Sequence, residues 1–198
     1  FNKQVMEQKL YIPYGIMSYG AGSEDPTFYA AVPVESVEYM FVEEDWDIRA
    51  IDTAPWYASI NSKAKAALGY DMNAYVACGY GTMYLAKDIM ERAPYSTNLA
   101  KYRDNIRDAA AATDMTPKTC GRIERTIDGK TYCPAMIKGT ERIVFDKDGQ
   151  NPYAFGSVSQ NIKGKRILLF AGWMNPPAGA LVPGAKPVWP LPTWEERK

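Results

Sequence analysis

The sequence predicts an α/β chain. Short apolar runs of strand length, longer stretches of helical periodicity between them, and turn residues at the junctions all point to it. An amphipathic helix opens the chain at Phe1 to Leu10, where Val5, Met6 and Leu10 are apolar among charged residues. Tyr11 to Met17 follows as a strand candidate, and then comes the loop Ser18-Tyr19-Gly20-Ala21-Gly22-Ser23-Glu24. Asp25-Pro26 sets an N-cap residue before Pro at the first helical position, which starts a helix over Thr27 to Val32. Val37 to Val42 reads as the next strand. This succession of strand, helix and strand is the rhythm of a parallel sheet covered by helices, and in open sheets of that kind ligands sit beyond the carboxyl ends of the strands. The loop from Ser18 to Glu24 is therefore where a ligand is expected.

After Glu43-Glu44-Asp45-Trp46-Asp47 the pattern turns helical. Helices are predicted over Ala54 to Leu68, Met72 to Arg92 and Asn98 to Ala112. In the second, Tyr75, Cys78, Gly79, Thr82, Met83, Leu85, Ala86 and Ile89 make a broad apolar face, and Pro94 ends it. On that face Cys78 is expected to be a buried structural thiol. A strand is predicted at Arg142 to Phe145, followed by the turn Asp146-Lys147-Asp148-Gly149. Strands then run over Ala154 to Asn161 and Arg166 to Ala171, joined by Lys163-Gly164-Lys165. Gly172 to Lys198 is Pro-rich and aperiodic, so it orders only by packing on something.

Composition narrows the function. The chain has 198 residues, 46% hydrophobic and 13% aromatic, enough for one or two compact units. Its 23 Lys and Arg balance 23 Asp and Glu with no long run of either sign, so no electrostatic footprint for nucleic acid is present. Apolar runs such as Ile167 to Ala171 have strand length, far below the ~18 residues of a membrane span.

Cys120 and Cys133 flank a polar segment in which Asp128-Gly129 is a two-residue hairpin signal. A hairpin returns Cys133 beside Cys120, and in an oxidising compartment the pair closes a disulfide; two reduced cysteines in a surface insertion are the alternative. The chain has no His and no C-x-x-C pair, too few soft ligands for a closed zinc site. Asp146-Lys147-Asp148-Gly149 lacks the remaining ligands of a calcium loop, since Phe155 stands where its Glu is required, and reads as a turn. Gly20-x-Gly22 lacks both the third glycine of a dinucleotide loop and the Walker Lys. Glu43, Glu44 and Asp45 read as a solvated face, and no nucleophile motif such as G-x-S-x-G occurs.

Four stretches occur in a family order. These are Gly20-Ala21-Gly22 with Asp25-Pro26-Thr27-Phe28, Ala74-Tyr75 opening a helix with Tyr80 and Tyr84, Phe145-Asp146 to Asn151-Pro152, and Pro187 to Arg197. In these the chain resembles the C-terminal portion of the type I periplasmic solute-binding proteins of branched-chain-amino-acid-type ABC importers; the cysteine insertion departs from the family's common pattern. The resemblance implies two doubly wound α/β lobes with a cleft between them. Residues 1–45 would belong to the C-terminal lobe, 46–152 to the N-terminal lobe, and 153–198 to the C-terminal lobe again. It implies a periplasmic binding module with no cofactor, metal or catalytic residue. Its partners would be a small solute (an amino acid, an amide or a small carboxylic acid, aromatic ones included), a membrane permease, and the remaining N-terminal half of the same protein. An α/β enzyme fragment, or a receptor's sensing domain with the same fold, is the alternative.

By the same resemblance, Ser18, Tyr19 and Gly20, with backbone N–H groups at Ala21 and Gly22, face the cleft from one lobe. A turn that merely needs Gly explains the glycines equally well. Tyr75 points into the cleft from the other lobe, with core packing as its competing role, and Tyr80 is expected in the core. Trp46 sits at the crossover as cleft wall or hinge, or as simple packing.

Overall fold

The computed structural model describes residues 1–20, 23, 26–47, 56–137, 142–154, 156–171 and 181–197. Ala21, Gly22, the Asp25 cap and the start of the helix expected from Ala54 lie outside the described residues, as does much of the Pro-rich tail. The elements in order are α1 (Asn2–Glu7), β1 (Met17–Tyr19), α2 (Pro26–Ala31), β2 (Phe41–Glu44), α3 (Trp56–Leu68), α4 (Ala74–Arg92), α5 (Leu99–Ala111), β3 (Asp114–Met115), β4 (Arg125–Ile127), β5 (Lys130–Tyr132), β6 (Ile143–Val144), β7 (Ser157–Ile162) and β8 (Lys165–Ala171). The fold is thus mixed helix and sheet. No helix among the described residues is long and apolar enough to cross a membrane.

The main sheet has the order β1-β2-β7-β8, so it joins strands from the two ends of the chain. Only β1 and β2 pair in parallel; β2–β7 and β7–β8 are antiparallel. The sheet is therefore mixed where a parallel one was expected. The cause is local: Lys163 (φ 53°) and Gly164 (φ 68°) make a two-residue turn between β7 and β8, and a connection that short permits only antiparallel pairing. One sheet face carries a core of Val37, Met40 and Val42, covered by Phe28, Tyr29 and Val32 from α2 and its end.

Two strand expectations shift. Pro13 lacks a backbone N–H and Gly15 closes a turn onto Ile12, so Tyr11 to Ile16 bends and the strand starts at Met17, which places Ser18 and Tyr19 on β1. Pro33 opens a 3-10 turn over Val34–Val37, which delays the next strand to Phe41.

Two further cores form along α4 from residues between Trp46 and Ile143. Trp46, Tyr57, Ile60, Met72, Ala74, Ala77, Tyr132 and Ile137 form one. Met115, Cys120, Ile123, Cys133, Ala135, Met136 and Ile143 form the other. The Asn73 side chain caps α4 by accepting from Val76 N at 3.0 Å, and Asn98 caps α5 in the same way. Asp128 (φ 52°) and Gly129 (φ 73°) take the left-handed pair of conformations that a tight hairpin requires, joining β4 to β5. That hairpin brings Cys133 back to Cys120, and the two form a disulfide with Cα atoms 5.8 Å apart.

Polar groups lock the sheet to the tail. Gln160 is fully buried; its Nε2 donates to Tyr39 O (3.2 Å) and Val188 O (3.1 Å), and its Oε1 accepts from Val188 N (2.8 Å). Trp189 packs on Phe41 and Tyr14, and Trp194 Nε1 donates to Leu10 O, so residues 187–197 are held against the first segment. Arg166 on β8 donates to Glu44 Oε1 (2.5 Å), Ser23 O (2.6 Å) and Tyr29 Oη (2.7 Å), joining both ends of the chain in one ionic network.

Thiol titration of the unfolded chain should find one reactive group before reduction and three after, since Cys78 is the free cysteine. Reduction should cost about 3 kcal/mol of stability by the loop-entropy estimate. Arg166→Met strands the buried Glu44 carboxylate and should lower the unfolding free energy by about 3–5 kcal/mol in a denaturant titration.

Candidate ligand cleft

Because β1 and β2 run parallel with Tyr19 opposite Glu43, both strands end on the same edge of the sheet. There Tyr19, Gly20, Glu43, Glu44 and Asp45 face Ala74, Tyr75 and Cys78 of α4 across a cleft of about 320 Å³. A larger apolar groove of about 460 Å³ lies over Met17, Phe41, Val158, Phe170 and Trp189, but it has few polar groups with which to orient a solute. Convergent polar groups beside aromatic surface favour the cleft as the site.

Each wall has a local cause. Gly20 has φ +86°, a conformation that strains any side chain, and a Cβ built there would lie 4.0 Å from the Tyr75 hydroxyl. Glycine makes this turn beside Tyr75 without the backbone strain that a side chain would bring, although there is room for a Cβ. Tyr75 projects from the first turn of α4 and is 52% exposed; Tyr19 is 76% exposed. The core-packing role weighed for Tyr75 does not hold, since Ala74 and Ala77 take the inward positions. Cys78, expected to be buried, is half-buried at the cleft, its Sγ donating to Asp45 Oδ2 at 3.9 Å. Its position one turn after Tyr75 puts it on the same side of α4.

Trp46 is corrected in the other direction. It is 0% exposed and meets Tyr57 edge to face at 5.7 Å between ring centroids, so it is a core residue and not a cleft wall. Ser18 is half-buried on β1 and does not line the cleft, because successive strand residues point to opposite faces. Tyr80, expected in the core, packs at its edge beside Tyr132, with the hydroxyls 3.2 Å apart. Burial raises the Tyr80, Tyr132 and Tyr57 phenols above their ordinary value, so all three stay neutral near pH 7.

The carboxylates were missed as lining groups. Glu43, Glu44 and Asp45 are not simply a solvated face: Glu44 is 5% exposed and paired with Arg166. The signal that finds them is their place at the carboxyl end of β2, next to the strand that ends at Tyr19. Among the described residues no group of three His, Cys, Asp or Glu side chains is placed to hold a metal ion. Compared with protein-family models and with curated proteins, the chain matches none of either.

Trp46→Ala should cost about 3–5 kcal/mol of stability, the range for emptying a large aromatic site in a core. Tyr19→Ala and Tyr75→Ala should stay within about 0.5 kcal/mol of the parent, as surface changes do. Denaturant midpoints of the three variants check the division between core and cleft.

Proposed function

We propose that this chain is the solute-binding part of an ABC importer, built on the type I periplasmic binding fold, with the cleft as its binding site. The observation that carries the reading is the composition of the two walls. Tyr19, Gly20 and Glu43 to Asp45 come from strand ends of a sheet shared by residues 1–45 and 153–198, while Tyr75 and Cys78 come from a helix within 46–152. On this reading the two sets of segments are the two lobes. A small solute enters between them, contacts from both sides favour the closed form, and a membrane permease reads the closure. Tyr19 and Tyr75 supply amphipathic surface, each ring covering an apolar part of the solute and each hydroxyl available for a hydrogen bond.

The Cys120–Cys133 disulfide supports an oxidising compartment such as the periplasm. The four stretches that resemble the family support the same assignment, and the solute is an amino acid, an amide or a small carboxylic acid. The remaining N-terminal half of such a protein would complete both lobes. With no nucleophile motif and neutral phenols behind the cleft, binding fits the site better than turnover.

Calorimetric titration with amino acids, amides and small aromatic acids should give saturable binding at one site. Tyr19→Ala and Tyr75→Ala should each weaken it by about 1–3 kcal/mol, the range for losing an aromatic contact or a buried hydrogen bond. Unchanged affinity in both variants, with the fold intact, removes the cleft as the site; turnover of a titrant replaces the binding module with an enzyme.

A further inference from the structure

We infer that the solute carries a cationic nitrogen on an apolar or aromatic body, a small organic amine, with Glu43 as the residue that selects it; the inference rests on the cleft being the solute site. Of the eight described residues that line the cleft three are acidic, and none of the eight is Lys or Arg. The carboxylates are not equivalent. Glu44 is matched by Arg166, whose guanidinium is held by Glu44, Ser23 O and Tyr29 Oη and does not line the cleft. Asp45 accepts the Cys78 thiol.

Glu43 is half-buried, and among the described residues its carboxylate has no hydrogen-bond or ion-pair partner. The strand register sets Glu43 beside Tyr19, on the same face of the sheet. A carboxylate that is partly withdrawn from water gains from a charged donor. The exposed ring of Tyr19 favours a cation for a second reason, the attraction of positive charge to an aromatic ring.

The opposing field comes from the first turn of α4, whose positive end amounts to about half an elementary charge. The Asn73 side chain already accepts from one of its N–H groups. Half a charge does not offset the full charge of the Glu43 carboxylate, so the net field of the described lining attracts cations. An anionic acid entering the cleft meets repulsion and, among the described lining residues, no guanidinium or ammonium to pair with. Of the proposed solutes, the cleft therefore favours those that carry an ammonium group and disfavours plain carboxylic acids.

Three probes of one ring size separate charge from shape: benzylamine, benzamide and benzoate, titrated calorimetrically into the folded chain. Benzylamine is expected to bind at least about tenfold tighter than benzoate. Glu43→Gln should weaken benzylamine about tenfold, the effect of losing a charge-assisted hydrogen bond, and leave benzamide nearly unchanged. Glu43→Asp, which keeps the charge, should retain most of the affinity, and circular dichroism confirms that each variant is folded. If benzoate or benzamide binds more tightly than benzylamine, and Tyr75→Ala weakens that binding, the cation preference is wrong and the cleft stands. If none of the probes binds, or binding ignores Tyr19→Ala, Tyr75→Ala and Glu43→Gln alike, the cleft itself is wrong and the inference falls with it.

Discussion

The burial of Trp46 fixes the geometry on which the cleft depends. The chain leaves β2 at Glu44, and by Trp46 it is inside a different core, packed with Tyr57, Ile60, Met72, Ala77 and Ile137. On the other side of this short passage the β2 ladder holds Glu44 opposite Ser157, and Ser157 Oγ donates to Glu44 O at 3.1 Å. Only Asp45 lies between these two anchors, and a residue has only two soft backbone dihedrals. The backbone that carries the cleft carboxylates is therefore positioned by packing on both sides. The distance from the sheet to α4 is set by the same anchors, because Ala74 and Ala77 share the Trp46 core while Tyr75 stands outside it.

A second constraint is the handling of polar groups inside the sheet unit. Gln160, Asn161 and Glu44 are all buried, and each is satisfied by a partner remote in sequence: Val188 and Tyr39, Val37, and Arg166. Leaving any of them unpaired costs about 1–3 kcal/mol, more for the charged one. The aperiodic tail is ordered for this reason. It presents the backbone of Val188 to Gln160 and lays Trp189 over Phe41, so a stretch without helical or strand pattern still has a definite place.

The helices were legible because their signals are local. The extent of α4, with its Asn73 cap and the stop at Pro94, is contained in about two dozen residues, but the face predicted as apolar is not the one that turns inward: Ala74, Ala77, Gly81 and Asp88 are buried, while Tyr75 and Met83 are exposed. The disulfide was legible because Asp128-Gly129 dictates a hairpin that the two cysteines flank. Tyr19, Gly20 and Tyr75 were placed at one site through resemblance, and the structure does bring them together. What stayed hidden depends on distant partners. Glu44 reads as a surface acid until Arg166, 122 residues later, is seen beside it. Trp46 reads as a boundary residue until the Tyr57 ring is found against it. The early strand was misplaced because Pro13 and Gly15 interrupt a run that hydrophobicity alone treats as continuous.

The main sheet draws its strands from the two ends of the chain, and this has a consequence for the order in which the molecule can assemble as it is made. Met17 to Glu44 emerges first, but the antiparallel neighbour of β2 begins only at Ser157. In between, residues 56–145 can complete their own packing through contacts that are close in sequence. During that interval β2 offers an unpaired edge and Arg166 has not yet joined Glu44, a state open to self-association. A pause in translation after β6 would prolong that exposure, so the yield of folded protein is sensitive to how quickly β7 and β8 are delivered.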